Sequence, residues 1–369
     1  MRIGIITYHR SHNYGALFQA FALKTFLQKD EHEVEFIDYW PEYHNEMYRS
    51  IPYFNYLTWK TKVKHIILLI IGFRRIYKRR RGCLDFMHNY LGLQFKPQIT
   101  EKENLTALNY DLIIYGSDQI WRKQYFKSFV GFNDIYFGSC INAKIKISYA
   151  ASMGVIEIQS PEDTEFLKRH FMNFDRISVR EKELQTLVES ATGKKPELVL
   201  DPVFLLSEEQ WKTLLPKRKE KVKYVLLYQL LQSRDSILLA QKIADQYGYK
   251  VIEVCGKVSP LKFSARYKQT LSPLEFLSFL YNAEFVVTTS FHGAAFSIIF
   301  RKDFYALGMG NNSDRVLTLF ENLDLSDRYI QNISDLNIKQ SIDYERTLTK
   351  LQNQIIQSAK FLLTVFNKN

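Results

Sequence analysis

Polar and cationic residues gather where short apolar runs end. Tyr8-His9-Arg10-Ser11-His12-Asn13-Tyr14-Gly15 follows the run Arg2–Thr7, and Gly116-Ser117-Asp118-Gln119-Ile120-Trp121 follows Leu112–Tyr115. Ala150-Ala151-Ser152-Met153-Gly154 follows Ile145–Tyr149, Arg180-Glu181 follows Ile177–Val179, and Asp201-Pro202 follows Leu198–Leu200. Thr289-Ser290-Phe291-His292-Gly293 follows Phe285–Thr288. His292 stands where a helix should begin, near Gly293. The unpaired N–H groups there suit a phosphate or carboxylate, and Gly293 would let backbone approach a ligand. An imidazole in that place can hold an anion or move a proton near neutral pH; a plain capping loop is the competing reading. Arg180 offers a fork of donors for the same anions, or pairs at the surface with Glu181 or Glu183. Asp118 is a general base or the pivot of an Asx turn. His9, His12 and Asn13 read as anion or sugar contacts, because Arg10 in their loop would repel a cation.

Other chemistries lack their residues. There is no GxxxxGK[ST], GxGxxG or HExxH pattern, no Asp-x-Asp triplet and no nucleophile elbow. Gly308-Met309-Gly310 is a weak phosphate-loop echo that a turn explains better. No metal ligand set and no cofactor is expected.

The elements that must position these loops alternate. Strand patterns at Arg2–Thr7, Val34–Asp38, Leu112–Tyr115, Ile145–Tyr149, Ile177–Val179 and Leu198–Leu200 are joined by helical patterns at Gly15–Gln28 and Glu181–Ser190. The second half repeats this, with strands at Tyr224–Tyr228, Lys250–Cys255, Phe285–Thr288 and Asp303–Leu307. Its helices are Ser233–Tyr247, Pro273–Tyr281, Ala294–Phe300, Arg315–Asn322 and the long Tyr344–Phe366. Such alternation predicts parallel βαβ units. The fold class expected is α/β, with two doubly wound, Rossmann-like domains facing a central cleft. The predicted boundaries are 1–206, a linker at 207–222, 223–340, and a C-terminal helix at 341–369. Ligands of open α/β sheets bind beyond the carboxyl ends of the strands, where the polar loops gather.

The 369 residues suit two domains of about 150–200 residues, each with its own core. The net charge is +11, but Lys60–Arg81 holds nine cations and no acid. A nucleic-acid partner is therefore not expected from the overall charge, and the aromatics do not interleave with that cluster as a base-stacking surface would. Cys83, Cys140 and Cys255 form no CxxC pair and read as reduced thiols. Met1–Thr7 reads as a strand rather than a leader. The most apolar stretch, Ile66–Phe73, is far shorter than the roughly 20 residues needed to span a bilayer. A cytoplasmic protein is expected. Segment 59–81 could lie on the inner face of the plasma membrane, held by anionic lipid, or be a buried helix with a solvated basic end.

Taken in order, these pieces resemble the polysaccharide pyruvyl transferase family. The resemblance rests on His12-Asn13-Tyr14-Gly15-Ala16 with Gln19 and Ala20, on Gly116–Trp121, and on Val179-Arg180-Glu181 and Asp201-Pro202. It continues with Thr289–Gly293, Phe296-Ser297, Arg315 and Leu325–Arg328. It covers roughly residues 3–330. It implies a GT-B-like fold and transfer of pyruvate from phosphoenolpyruvate to a sugar, as a cyclic ketal. It implies that Arg180 and His292 engage the donor; with the chemistry of ketal formation, Asp118 is then expected as the base or an acceptor contact. His12, Asn13, Gly15, Ser117, Gln119, Trp121, Ser290, Phe291, Gly293 and Arg315 are the expected substrate contacts. The acceptor would be a surface polysaccharide or its polyprenyl-diphosphate-linked precursor. Some members carry Arg where this chain has Ser290, so either Arg301, Arg315, His9 or Arg10 supplies the missing cation or the donor differs. A GT-B glycosyltransferase using a nucleotide sugar is the rival reading.

Overall fold

The computed structural model describes residues 1–30, 32–47, 58–97, 99–217, 222–310, 313–331, 333, 338 and 341–366. The first half runs β1 (Arg2–Ile6), α1 (Tyr14–Leu27), β2 (Glu33–Phe36), α2 (Glu42–Met47), α3 (Trp59–Phe86), β3 (Asn109–Tyr115), the hairpin β4 (Gln124–Tyr125) and β5 (Val130–Gly131), β6 (Asn142–Ala151), α4 (Pro161–Phe171), β7 (Arg176–Val179), α5 (Lys182–Thr192) and β8 (Glu197–Leu198). The second runs α6 (Glu208–Thr213), β9 (Tyr224–Gln229), α7 (Arg234–Tyr247), β10 (Lys250–Cys255), α8 (Pro273–Tyr281), β11 (Phe285–Thr288), α9 (Phe291–Ile299), β12 (Asp303–Leu307), α10 (Asp314–Asn322), β13 (Tyr329–Ile330) and α11 (Tyr344–Phe366).

Two parallel sheets result, ordered β2-β1-β3-β6-β7-β8 and β10-β9-β11-β12-β13. Parallel strands covered on both faces read as near-continuous apolar runs, and every residue of β9 and β11 is buried. In each sheet the strand order reverses beside the first strand. The switch points lie between β1 and β3 and between β9 and β11. The loops leaving those four strands include Thr7–Asn13, Gly116–Trp121 and Thr289–Ser290. Topology alone thus brings the polar loops to the place where open sheets bind ligands.

The cores depart from expectation. The largest buried cluster runs through both halves, from Ile3, Leu112 and Ile147 to Leu226, Val286 and Phe304. Helix α1 is the reason. Ten of its 14 residues are buried, and a helix apolar nearly all round must be covered nearly all round. Phe18 meets Phe276 and Phe296 of the other half, with ring centroids 6.4 and 5.2 Å apart. The described part of 207–222 is also structured: Trp211 of α6 packs on Phe18 and Phe296. Helix α11 returns to the first sheet, where Ser358 Oγ accepts from Leu200 N–H at 2.9 Å. Arg176 Nη1 donates to Phe361 O and Thr364 Oγ1 at 3.2 and 2.7 Å.

Two further differences are informative. Helix α4 fills a stretch to which no element was assigned, although Ser160 before Pro161 is a start signal. Its hydroxyl accepts from Asp163 N–H at 3.3 Å. The apolar run of segment 59–81 is not buried. It lies in the 28-residue α3, whose buried residues are Gly72, Arg79, Cys83 and Phe86. Ile66, Ile67, Ile70 and Ile71 are exposed, so the buried-helix reading fails.

Candidate active site

Asp201 ends the short path out of β8 and caps a 3-10 turn, Oδ1 accepting from Val203 N–H at 3.1 Å. Three donors approach its Oδ2. Arg180 Nη1, from the end of β7, makes a charge-assisted hydrogen bond. Ser117 Oγ, beyond β3, lies at 3.4 Å and His292 Nε2, from the other half, at 3.5 Å. Arg180 Nη2 also reaches Asp118 Oδ1 at 3.4 Å. Four strand ends therefore converge on one carboxylate and one guanidinium.

The halves meet at His292. Ser290 caps α9, accepting from Gly293 N–H at 3.4 Å, which sets His292 in the first turn of the helix. A Cβ on Gly15 would lie 2.1 Å from His292 Nδ1, so the glycine at the start of α1 makes room for the imidazole. Gly293 has a similar task, but not toward a ligand. Its Cβ would strike Thr288 Oγ1 at 2.2 Å, so its closeness serves the packing of α9 on β11. The Phe291 ring faces both guanidiniums, with Arg180 Cζ at 5.2 Å and Arg315 Cζ at 5.7 Å from its centroid. Arg315 Nε stands 3.8 Å from Glu181 Oε1, which Ser152 Oγ also contacts. A small cavity of about 30 Å³ lies here, lined by Arg180, Asp201, Phe291, Arg315, Thr318 and Gln354 among others.

Burial dominates the electrostatics. It pushes the Glu181 carboxyl up to about 7, although Arg180 and Arg315 pull the other way. Burial and the neighbouring Arg180 lower Arg315 to about 10. Burial would raise Asp201 too, but His292 and Arg180 outweigh it and hold the carboxyl at about 2. His12 falls to about 4, chiefly through burial and then through Arg80 and Arg79. It is neutral at pH 7, so it can contact a hydroxyl but adds no positive charge.

Arg180, Asp118, Ser117, His292, Ser290, Phe291, Gly15 and Arg315 thus come together. Asn13 caps α1, its Oδ1 accepting from Gly15 N–H at 3.1 Å, and His12 precedes it. Gln119 is half-buried in the loop of Asp118, and its N–H donates to Asp118 Oδ1 at 2.9 Å. Trp121 does not join them. Its indole is fully buried, Nε1 donates to Tyr136 O at 2.9 Å, and Phe137, Phe171 and Phe174 surround the ring. Its aromatic bulk suits a core as well as a substrate contact, and the core has it. Of the candidate replacement cations, only Arg315 reaches the site. Arg10 grips both oxygens of Asp38 at 2.5 and 2.6 Å and also donates to Gln94 O and Lys96 O. His9 Nε2 shares Asp38 at 3.2 Å. Arg301 is exposed and pairs with Glu208 at 3.2 Å.

The sequence alone gives Asp201 no role and offers Glu181 only as a surface partner of Arg180. Their positions straight after strands were the available signal. Arg180 Nε, Glu181 Oε2, His292 Nε2, Arg315 Nε and Thr318 Oγ1 are buried without a hydrogen-bond partner. Such a concentration calls for an explanation, and polar atoms of a ligand would satisfy it. Among the described residues, no three His, Cys, Asp or Glu side chains could together hold a metal ion.

Two parallel doubly wound sheets, with polar groups meeting between their carboxyl ends, define a GT-B-like protein. The chain belongs to the polysaccharide pyruvyl transferase family, whose profile matches residues 13–311, and is thus a transferase enzyme. No curated protein matches it. Among solved structures it is similar to UDP-GlcNAc 2-epimerase from Neisseria meningitidis, with 11% identity, full coverage of both chains and a TM-score of 0.46. The corresponding epimerase from Methanocaldococcus jannaschii has 10% identity, full coverage of both chains and a TM-score of 0.45. The E. coli heptosyltransferase WaaC has 14% identity over 83% of this chain and 87% of that one, with a TM-score of 0.35.

Proposed function

We propose that this enzyme moves pyruvate from phosphoenolpyruvate to a sugar of a surface polysaccharide or its lipid-linked precursor, forming a ketal and releasing phosphate. The observation that carries the reading is the group of buried donors that meet no hydrogen-bond acceptor, Arg180 Nε, Arg315 Nε and Thr318 Oγ1, beside the His292 imidazole. Phosphoenolpyruvate brings a phosphate and a carboxylate, whose oxygens fit donors of this kind.

The reaction needs an acid near the donor methylene and a base near the sugar. Protonation of the methylene carbon leaves a cationic centre at C2. One sugar hydroxyl adds there and loses its proton. The C2–O bond to phosphate breaks, and a second hydroxyl closes the ketal and loses its proton. His292 is the acid or the phosphate's partner, and Arg180 and Arg315 clamp the anion. Asp118 faces the acceptor, with Oδ1 tied to Arg180 and to Gln119 N–H. Asp201 is a positioning residue, holding Arg180 and His292 from behind.

The test supplies the enzyme with phosphoenolpyruvate or with nucleotide sugars and follows phosphate against nucleotide release. Phosphate release that needs an acceptor is expected. Nucleotide release alone would point to glycosyl transfer. His292→Ala should lower turnover by about 100-fold or more, and near-normal turnover in that variant would remove His292 from the chemistry.

A further inference from the structure

We infer that the outer face of α3 seats the enzyme on an anionic lipid surface. Trp59, Ile66, Ile70, Phe73 and Tyr77 recur at spacings of seven, four, three and four. At about 3.6 residues per turn they form one ridge. Their side chains are exposed, Ile70 by 71% and Phe73 by 65%. The ridge points away from the buried stripe of Gly72, Arg79, Cys83 and Phe86. Lys60, Lys64, Arg74 and Lys78 follow one flank of the ridge, with Lys62 and Arg80 on the other. An apolar ridge between basic flanks is the pattern of a helix lying in a membrane interface. None of the helices described is long and apolar enough to cross a membrane, so α3 would lie on the surface. A loop of the other half adds Leu261 and Phe263, both exposed. Arg75 holds that loop through Lys262 O and Pro260 O at 2.8 and 2.5 Å.

Charge decides the occupant. Lys60–Arg81 carries nine cations and no acid. A second copy docked symmetrically would bring two such stripes face to face, whereas anionic headgroups neutralise them. The far end of α3 is fixed to the cleft. Arg79 lies over the Tyr14 ring at 4.7 Å and donates to Cys255 O at 2.7 Å. Cys83 Sγ stands 4.0 Å from His12 O. A surface that seats α3 therefore also fixes the direction in which the cleft opens. The inference goes beyond the pyruvyl-transfer reading and does not depend on it.

The whole protein is sedimented with vesicles of phosphatidylcholine alone and of phosphatidylcholine mixed with phosphatidylglycerol. Tighter, salt-sensitive binding to the mixed vesicles is expected. Ile70→Glu combined with Phe73→Glu should weaken it by about tenfold or more, and replacing Lys60, Lys64, Arg74 and Lys78 by Gln should abolish the preference. Equal binding to both vesicles, or none to either, overturns the proposal. So does a wild-type dimer in sedimentation velocity that the Ile70→Glu, Phe73→Glu variant dissolves, because the face would then join two copies. Phosphate release with a water-soluble acceptor, measured on the same variants, should be unchanged. Its absence in the wild type would count against pyruvyl transfer and leave the vesicle result standing.

Discussion

Glu181 sits between Ser152 and the two arginines of the site, and its carboxyl has been pushed up to about 7 by burial. A carboxyl whose folded pKa exceeds its unfolded one stabilises the fold fully below the unfolded value, 4.5 here. That stabilisation is lost as pH rises through about 7. The unfolding free energy of the wild type should thus fall across this window relative to Glu181→Gln, by an amount on the order of 1–3 kcal/mol, seen as a lower melting temperature. Ionised Glu181 also sets a negative charge beside the proposed anion clamp. The apparent affinity for phosphoenolpyruvate should weaken as pH passes about 7 in the wild type, and Glu181→Gln should remove that pH dependence. Steady-state kinetics and thermal melts over a pH series check both. An unchanged pH profile in Glu181→Gln would show that Glu181 does not govern donor binding.

At the scale of elements, the first turn of α1 faces the first turn of α9 across the halves. Only a glycine at position 15 leaves space for the His292 ring. Gly15→Ala should keep the helix, since alanine favours it, yet displace the imidazole. Activity at saturating donor should drop by about tenfold or more with little change in melting temperature. Full activity would mean that His292 can move aside without consequence. Much of this level was legible in the sequence. Parallel strands buried on both faces read as apolar runs, and β10, β11, β12, α8 and α11 lie where their patterns put them. The polar residues directly after such runs are the candidate site. What was hidden depends on contacts between distant segments. Arg10 looks like an available cation until Asp38, on another strand end, takes it. Trp121 looks like a substrate contact until Phe137, Phe171 and Phe174 close over it. Arg180 and Asp201, 21 residues apart, meet because β7 and β8 pair in parallel. No local pattern announces that. In segment 59–81 the sequence joins the apolar run to its basic flanks but leaves burial and exposure equally open; the 28-residue α3 decides it by turning Ile66, Ile70 and Phe73 outward.

Over the whole molecule, the two sheets share a core through α1, α6 and α9. Phe296 is fully buried against Phe18 and Trp211, with centroids 5.2 and 5.0 Å away. Phe296→Ala should cost about 3–5 kcal/mol. Because the cluster is continuous, calorimetry should show one cooperative transition for the wild type, and the variant should shift it as a whole. Two resolved transitions, only one of them shifted, would mean that the halves unfold independently. A shared core also limits how far the cleft can open by hinge motion, so donor and acceptor should enter a site whose main contacts already exist.

The return of α11 to the first sheet has a consequence for biosynthesis. Leu200 finds Ser358, and Arg176 finds Phe361 and Thr364, only after the ribosome has translated the entire second sheet. Until then the nascent first half carries an apolar face with nothing to cover it, and such faces attract chaperones and one another. The first sheet therefore cannot be completed until α11, translated after the second sheet, folds back onto it.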